Sequence, residues 1–240
     1  MAAGPRTLCI DVGGTGIKTL VLDPAGKPVT ERRRVDTPRP ATPRAVVKAI
    51  LGLAGQQGDF DRVSVGFPGV VRRGVTRTAP NLHSAWIGVD LDRMLTRELG
   101  KPVRAANDAD VQGLGAVKGD GVELVITLGT GFGSSLFVDG RLVPNMQLAH
   151  HAGWNDRTYE EELGNAALKK TGKKKWNKRL RKAIASLSLL FNYDRLYIGG
   201  GNAGKIAFDL PEGVRAVSNL EGLLGGIVLW RGKENSYGVR

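Results

Sequence analysis

Three glycine-rich segments each follow a run of apolar, strand-forming residues. They cover residues 13–16, 129–133 and 199–202. Glycine lets backbone amides approach phosphate oxygens closely, because no side chain blocks the approach. Asp11 stands at the end of the run before the first segment, where a carboxylate can hold Mg²⁺ directly or through water. The first segment taken alone is equally consistent with an ordinary glycine hairpin.

A second candidate for chemistry is a strongly basic stretch. Residues 169–182 contain nine Lys or Arg and no Asp or Glu. A concentrated cationic strip suits a linear polyanion, because each neutralised phosphate releases counterions. A solvated helix face and nonspecific nucleic-acid binding are the alternatives, although aromatic residues within the strip are limited to Trp176. The apolar residues predict a helix with outward-facing cations, since they recur at spacings of three and four: Trp176, Leu180, Ile184, Leu187 and Phe191.

Alternating strand and helix signals must position these segments. Hydrophobic runs bounded by turn residues predict strands at 7–12, 17–22, 28–35, 62–67, 103–106, 124–128, 134–138, 141–143 and 195–198. Apolar periodicity and capping residues predict helices at 43–54, 91–99, from Asn107-Asp108 to 117, and at 158–170, 175–191 and 219–230. The fold class predicted is α/β.

One unit of strand, glycine turn, strand, turn and strand occurs twice. Leu8 aligns with Leu124, and Asp11 aligns with Thr127. Such an internal repeat predicts two pseudo-symmetric halves with one phosphate-binding turn each. No Walker A loop is present, and we expect neither a P-loop nor a Rossmann enzyme.

Composition bounds the class of protein. The chain has 240 residues, a net charge of +12, one cysteine and three histidines, so a disulfide or a zinc site is not expected. The positive charge favours polyanionic partners. We see no signal peptide and no apolar run of about 18 residues. We therefore expect a cytoplasmic protein without a membrane span.

Four motifs, in order, resemble those of one known family. Residues 11–18, Asp-Val-Gly-Gly-Thr-Gly-Ile-Lys, are similar to the first phosphate motif of the actin-like ATPase superfamily, in the form found in ROK sugar kinases. Residues 79–82 with Trp86 resemble the ROK segment near the sugar, and residues 107–110 resemble its catalytic segment. Residues 127–133 match the second phosphate motif, and the likeness runs from about residue 7 to 204.

The resemblance implies a fold, an activity and an arrangement of domains. It implies two ribonuclease H-like (actin-like ATPase) domains that flank a cleft, at 1–112 and 113–240. It also implies phosphoryl transfer to a sugar hydroxyl, with Mg²⁺ as cofactor and commonly a homodimer. A general base that accepts the hydroxyl proton assists such a transfer. Asp108 is the expected base, although without the family match Asn107-Asp108 reads as a helix cap.

The remaining site residues follow from the same resemblance. The expected sugar ligands are Gly69, Asn81, Asn107, Asp108, Gln147, His150 and Glu160, with Glu161 as the alternative to Glu160. The expected phosphate-binding residues are Asp11, Gly13, Gly14, Thr15, Lys18, Thr130, Gly131, Gly133, Gly200 and Gly201, with Asp11 also holding Mg²⁺.

The donor is expected from a subgroup likeness. ROK glucokinases usually carry a cysteine-rich zinc segment, which this chain lacks. The segment in its place looks like that of the zinc-free polyphosphate glucokinases. The resemblance therefore implies glucose as acceptor and inorganic polyphosphate, and also ATP, as donor, without nucleic acid as a partner. The expected polyphosphate ligands are Lys173, Lys174, Lys175, Lys178 and Arg179.

Gln147 departs from the family pattern, which has Glu at this position. Glutamine keeps an acceptor oxygen but loses the charge, which predicts weaker glucose binding or another sugar preference. Alternatives are therefore an ATP-dependent hexokinase or mannokinase of the family, and a weakened member that only binds sugar or polyphosphate. A ROK transcriptional repressor is not expected, because the first motif begins too early for a helix-turn-helix domain.

Overall fold

The computed structural model describes residues 4–154 and 156–231, and of residues 219–223 it describes the backbone only. Within these residues two compact units form, one from 4–111 with 223–231 and the other from 112–222. The division predicted from sequence places everything from residue 113 onward in the second domain. In the structure, the end of the last helix instead packs with the first unit.

The first unit is built on a five-stranded sheet. The sheet order is β3-β2-β1-β4-β7, with β1–β2–β3 antiparallel and β1–β4–β7 parallel. The strands of this unit are β1 Thr7–Val12, β2 Gly16–Leu22, β3 Arg33–Asp36, β4 Arg62–Phe67, β5 Val71–Arg72, β6 Val75–Thr76 and β7 Val103–Asn107. The strand predicted at 28–35 is shorter than expected. The Thr30 hydroxyl accepts from the Val21 amide (3.0 Å), so a side chain takes the place of a ladder partner there.

Helices α1 Pro43–Ala54 and α2 Leu91–Leu99 accompany this sheet, and α3 Asp108–Ala116 begins in the first unit and ends in the second. The helix signals in the sequence were accurate. Thr42 caps α1 by accepting from the Ala45 amide, and Pro43 occupies the first turn. Gly100 ends α2 in the left-handed conformation (φ 64°). Helix α1 buries Val46, Val47, Ile50 and Leu53 in the same core as β1 and β4.

The second unit repeats the sheet of the first. Its strands are β8 Val122–Leu128, β9 Phe132–Val138, β10 Arg141–Val143, β11 Arg195–Gly199 and β12 Val214–Ala216. The order is β10-β9-β8-β11-β12, again an antiparallel hairpin on one side of the central strand and parallel strands on the other. The predicted repeat is confirmed. Asp11 and Thr127 are equivalent, since they pair on the parallel side with Gly66 and Gly199.

The helices of the second unit differ from the prediction. The helix expected at 158–170 is wrong as a single element, because α4 (Tyr159–Leu163) ends before Gly164. A Cβ at Gly164 would lie 2.8 Å from the Glu160 carbonyl oxygen, so only glycine fits this junction. Helix α5 (Asn165–Phe191) follows and is interrupted at Gly172, whose φ of 76° and ψ of 161° are not helical. The apolar stripe predicted for 175–191 is confirmed, with Trp176, Leu180, Ile184 and Leu187 buried.

The last helix, α6 (Asn219–Val228), explains why residues 223–231 pack with the first unit. Ile227 packs in a cluster with Cys9, Leu20 and Leu22. A Cβ at Gly226 would lie 2.5 Å from the Cys9 sulfur, so glycine permits this close approach. Among the described residues, no helix combines the length and the apolar character that crossing a membrane requires.

Candidate active site

The first phosphate turn, residues 13–16, lies where β1 ends and β2 begins. The Gly13 amide donates to the Gly16 carbonyl oxygen (3.0 Å), which closes the turn. A Cβ at Gly14 would lie 3.0 Å from the Cβ of Asn81. The structure therefore brings the predicted sugar residue Asn81 against this turn, and glycine is what lets the two segments meet.

Asp11 and Lys18 form an ion pair beside the turn. They are cross-strand partners on β1 and β2, and the Lys18 ammonium lies 2.8 Å from Asp11 Oδ2. Both side chains keep about 30% of their surface exposed (31% for Lys18 and 29% for Asp11). The pair is therefore accessible to a charged ligand.

Asn107 and Asp108 lie where β7 ends and α3 begins. The Asn107 side chain accepts from the amides of Ala109 (3.0 Å) and Asp110 (3.3 Å), which is a helix cap. Its amide group donates to the Gly69 carbonyl oxygen (3.1 Å). The cap expected from the residues alone is thus present. Through the same side chain, Asn107 fixes Gly69 next to the start of α3.

Asp108 has an unusual protonation equilibrium. Burial raises the pKa of its carboxyl to about 7, and the nearby Asp11 carboxylate contributes to the increase. The Ala109 amide and the Lys18 ammonium oppose the shift by stabilising the charged form. A carboxylate with this pKa exchanges a proton near neutral pH, which is favourable for a general base.

Close packing behind Asp108 depends on Gly66. A Cβ at Gly66 would lie 3.3 Å from the Asp108 Cα and 3.6 Å from its Cβ. Asp11 is the neighbour of Gly66 across β1 and β4. Within the first unit, Asp11, Lys18, Asp108 and the first phosphate turn therefore form one cluster.

The second phosphate turn joins β8 to β9 at residues 129–131, and it has the same length as the connection between β1 and β2. The Asn165 amide donates to the carbonyl oxygens of Gly129 (3.0 Å) and Thr130 (3.3 Å). The third glycine segment packs here too, because Asn202 donates from its side chain to Gly129 (3.3 Å) and from its backbone to Leu128 (2.8 Å). The predicted second and third phosphate segments are thus together in the second unit.

Gly200 and Gly201 differ in what they tolerate. Gly200 has a φ of +87°, and a Cβ there would lie 2.4 Å from the Leu128 carbonyl oxygen. A Cβ at Gly201 meets nothing within 4 Å. Gly200 is therefore required by the packing of the segment, whereas the space beside Gly201 is open.

Glu160 lies against the second phosphate turn. Its Oε2 accepts from the Phe132 amide (3.3 Å), and a Cβ at Gly131 would lie 2.2 Å from the same oxygen. Glu161 instead completes a capping box with Thr158 at the start of α4, where its carboxylate is held by the Thr158 amide (2.9 Å). Glu160 is thus the acid of the two that faces the turn.

Gln147 and His150 belong to a short segment in which Gln147 precedes a 3-10 helix, Leu148–His150. The Ser134 hydroxyl on β9 fixes this segment, because it donates to the Met146 carbonyl oxygen and accepts from the Leu148 amide, each at 3.2 Å. Gln147 is partly buried and His150 is exposed.

The predicted basic residues divide into two groups. Lys173, Lys174, Lys175 and Lys178 are exposed on α5, as are Arg181 and Lys182. Arg179 points inward instead. Its Nε lies 2.8 Å from the buried Glu162 carboxylate, and its side chain is 13% exposed. The exposed lysines therefore form the cationic surface, and Arg179 ties α5 to α4.

Sequence reasoning missed two features of the site. One is the inward ion pair of Arg179. The other is a set of donors on the first turn, Arg34, Thr37 and Arg39, each of which donates to one of its carbonyl groups. The Thr-Pro-Arg-Pro segment at 37–40 was the available signal, since alternating proline marks a stiff, extended segment.

The residues present fit a magnesium ion held mainly by phosphate. Among the described residues there is no group of three or more His, Cys, Asp or Glu side chains that would enclose a metal. Mg²⁺ usually binds one or two carboxylates together with water and substrate phosphates. Asp11, which is partly exposed beside the first phosphate turn, meets that requirement.

Comparison with known proteins identifies one matching family and relatives with similar sequences. The model of the ROK family matches residues 7–165. Polyphosphate glucokinase of Mycobacterium tuberculosis (strain ATCC 25618 / H37Rv) is 35% identical over 207 residues, covering 82% of this chain and 77% of that protein. Polyphosphate glucokinase of Mycobacterium leprae is 32% identical over 238 residues, covering 92% and 73%.

Solved structures agree with the fold. The inorganic polyphosphate/ATP-glucomannokinase of Arthrobacter sp. strain KM has a TM-score of 0.85 and 32% identity, and covers 94% of this chain and 98% of that one. A ROK family glucokinase from Streptomyces griseus, solved with glucose and AMPPNP, has a TM-score of 0.75 at 20% identity, covering 93% and 97%. The second likeness shows the fold alone.

Proposed function

This chain belongs to the ROK family, and we propose that it transfers the terminal phosphoryl group of inorganic polyphosphate to glucose, giving glucose 6-phosphate. The observation that carries this proposal is Asp108, a carboxyl group with a pKa of about 7 beside Asp11, Lys18 and a glycine-rich turn. Relatives that are polyphosphate glucokinases by name support the choice of donor and acceptor.

The proposed role of Asp108 is to accept one proton from the sugar hydroxyl. The oxygen of the sugar 6-hydroxyl forms a bond to the terminal phosphorus, and the bond from that phosphorus to the bridging oxygen breaks. The shortened polyphosphate leaves with the bridging oxygen, and the hydroxyl proton passes to the Asp108 carboxylate. A general base of this kind contributes about 10²–10⁴-fold to the rate.

The glycine turns have the task of holding charge in place. Phosphoryl transfer depends mostly on positioning and on neutralising the phosphate oxygens. We assign this task to Gly13, Gly14, Thr15 and Lys18 in the first unit. In the second unit we assign it to Thr130, Gly131, Gly133, Gly200 and Gly201. Mg²⁺ held by Asp11 would add positive charge on the phosphate oxygens.

The exposed lysines of α5 support polyphosphate as the donor. A single nucleotide has too few phosphates to use a strip that includes Lys174, Lys175 and Lys178. A linear polyphosphate presents one negative charge after another, so it gains from each added lysine. We therefore propose that these residues and Lys173 bind the part of the chain that is not being transferred.

Sugar binding is proposed for seven residues that carry the family motifs: Gly69, Asn81, Asn107, Asp108, Gln147, His150 and Glu160. Gln147 is the position at which we expect acceptor preference to differ from that of relatives with Glu, because a neutral amide binds sugar hydroxyls less strongly than a carboxylate.

A donor and acceptor screen tests this proposal. Purified protein is supplied with Mg²⁺, one sugar among glucose, mannose and glucosamine, and either long-chain polyphosphate or ATP, and the hexose 6-phosphate formed is measured. We expect glucose 6-phosphate with polyphosphate. Absence of hexose phosphate with polyphosphate, while ATP yields product, contradicts the proposed donor.

The second candidate function is an ATP-dependent ROK hexokinase. It is favoured by the glycine turns, because backbone amides bind phosphate groups whether these end in a nucleoside or in further phosphates. The Arthrobacter enzyme is named for both donors, polyphosphate and ATP, so we propose that ATP serves this chain as well. Comparing kcat/KM for the two donors ranks them.

We further propose that the protein acts as a cytoplasmic homodimer. Leu189 and Leu190 at the end of α5 are large apolar side chains with 90% and 59% of their surface exposed, which supports burial against another subunit. Light scattering coupled to gel filtration measures the mass in solution, and a monomer at micromolar concentration contradicts the dimer.

A further inference from the structure

Side chains from outside the first phosphate turn hold three of its carbonyl groups. All three donors belong to β3 and to the residues directly after it, and we call them the carbonyl-side donors. The contacts are Thr37 Oγ1 to Gly13 O (2.6 Å), Arg39 Nη2 to Gly14 O (2.9 Å) and Arg34 Nη2 to Thr15 O (3.3 Å).

These contacts fix the direction of the turn amides. In a trans peptide the N–H points opposite to the C=O of the same peptide unit. Because the carbonyls of Gly13 and Gly14 point toward Thr37 and Arg39, the amides of Gly14 and Thr15 point the other way. The turn therefore offers N–H groups on one face and keeps the negative ends of its peptide dipoles on the other.

The two arginines differ in their charge balance. Arg34 is paired with the Asp36 carboxylate at 2.8 Å. Arg39 is exposed, and within the part of the chain that the structure describes it has no carboxylate partner within ion-pair distance. Pro38 and Pro40 fix φ on either side of it, which reduces the freedom of the segment that presents it. Arg39 is thus the uncompensated positive charge attached to the first turn.

We infer that Arg39 is a positioning residue for the phosphoryl donor: it orients the first phosphate turn through the Gly14 carbonyl and adds positive charge on the carbonyl side of that turn. The inference rests on the proposed function, because it assigns the donor to this turn. The proposed ligand near Arg39 is a linear polyphosphate, and inorganic tripolyphosphate is the shortest convenient probe.

A matched control is available in the same region. Arg44 is an exposed arginine on α1, five residues further along, and among the described residues it donates no hydrogen bond to the turn. Arg39→Gln and Arg44→Gln each remove one positive charge. Arg39→Lys keeps the charge but lacks the planar group that reaches the Gly14 carbonyl.

The test measures binding and kinetics on the full-length protein. Calorimetry gives the Kd for tripolyphosphate, and initial rates give KM for polyphosphate and glucose at several salt concentrations. We expect Arg39→Gln to raise the Kd and the KM for polyphosphate about tenfold and to leave KM for glucose unchanged. We also expect it to reduce the slope of log Kd against log salt, by less than the value of about 0.7 for one direct phosphate contact on a single-stranded polyanion, because Arg39 lies on the carbonyl side of the turn. We expect Arg39→Lys to retain the wild-type salt slope and to have a Kd between those of the wild type and Arg39→Gln. Arg44→Gln should behave as wild type.

The outcomes separate the inference from the proposed function. A wild-type Kd and salt slope in Arg39→Gln overturn the inference, as does an equal effect in Arg44→Gln. If wild type makes no glucose 6-phosphate yet tripolyphosphate binding depends on Arg39, the proposed function fails and the inferred phosphate site stands. A change in salt slope is the decisive readout, since a merely structural role for Arg39 would not alter it.

Discussion

Arg179 Nε lies 2.8 Å from Oε2 of Glu162, whose side chain is only 1% exposed. Arg157 approaches the other carboxylate oxygen at 3.8 Å. Arg179 therefore compensates a buried charge and connects the second half of α5 to α4. Its neighbour Lys178 has no such task and is exposed on the same helix.

This contrast predicts that two adjacent alanine substitutions affect different properties, stability for Arg179→Ala and donor binding for Lys178→Ala. Arg179→Ala leaves a buried carboxylate poorly compensated, which we expect to lower the free energy of unfolding by about 3 kcal/mol, the lower end of the range for a broken buried pair because Arg157 remains. Lys178→Ala is expected to change it by less than about 0.5 kcal/mol. Urea denaturation measures both. We expect Lys178→Ala to raise KM for polyphosphate, and equal stability of the two variants would show that Arg179 is not structural.

Asp108 predicts an acid limb in the pH–rate profile. The general base must be ionised, and its pKa is raised to about 7. We therefore expect kcat/KM to fall about tenfold per pH unit below pH 7. Asp108→Asn should lose about 10²–10⁴-fold in kcat. Rates between pH 5 and 9 measure the limb.

Asp92 supplies a matched control for that profile. Burial raises its pKa to about 7 as well, but its carboxylate accepts from the Ala105 amide (2.7 Å) on β7. Asp92→Asn keeps an acceptor oxygen there, so the acid limb should persist. If Asp92→Asn lost the acid limb while a still active Asp108→Asn kept it, the titrating group would be Asp92 and not Asp108.

The same raised pKa predicts that the stability difference between Asp108→Asn and the wild type depends on pH. Between the unfolded pKa of about 3.9 and the folded pKa of about 7, the folded protein binds more protons than the unfolded chain at this site. Stability from Asp108 is therefore present at low pH and lost as pH rises through 7. Relative to wild type, Asp108→Asn should gain thermal stability from pH 5 to pH 8. A constant difference across this range would contradict the raised pKa.

Gly172 predicts a coupling between helix geometry and donor binding. Its φ of +76° is costly for other residues, by about 1–3 kcal/mol, although a Cβ there meets nothing within 4 Å. Gly88, with φ +85° and equally open space, is the control. Both Gly→Ala variants should lose similar stability in denaturation. KM for polyphosphate should rise in Gly172→Ala alone, because the proposed polyphosphate ligands Lys173, Lys174 and Lys175 directly follow Gly172. A rise of KM in both variants would show that helix geometry at Gly172 and donor binding are not coupled.

Gln147 predicts a gain of acceptor affinity. Restoring a charged acceptor with Gln147→Glu should strengthen a sugar hydrogen bond by about 1 kcal/mol, which lowers KM for glucose roughly fivefold. KM for polyphosphate should stay constant and serves as the internal control. A higher KM for glucose would mean that Gln147 is adapted to the sugar this protein uses, and a parallel measurement with mannose would identify it.

The features that sequence predicted well are those encoded locally. Gly13–Gly16 follows an apolar strand directly, and the same pattern returns after residue 128, so the two sheets and their equivalence were readable. Thr42-Pro43 and Gly100 marked helix ends because capping chemistry involves neighbouring residues. Asn107 was readable as a cap for the same reason.

The features that sequence did not predict depend on contacts far apart in the chain. The orientation of Arg179 is decided by a carboxylate on another helix, and that of Arg39 by a carbonyl 25 residues away. The break at residue 164 requires glycine, because a side chain there would meet the backbone oxygens of Glu160 and Thr130. Gly226 packs on Cys9 from the far end of the chain, which no local pattern indicates.

The most direct measurement is the transfer of terminally labelled phosphate from long-chain polyphosphate to glucose, followed in wild type and in Asp108→Asn with Mg²⁺ present. We predict labelled glucose 6-phosphate with wild type and a loss of about 10²-fold or more in the variant, with both proteins folded. Unlabelled product from wild type, or equal transfer by Asp108→Asn, would contradict the proposed transfer.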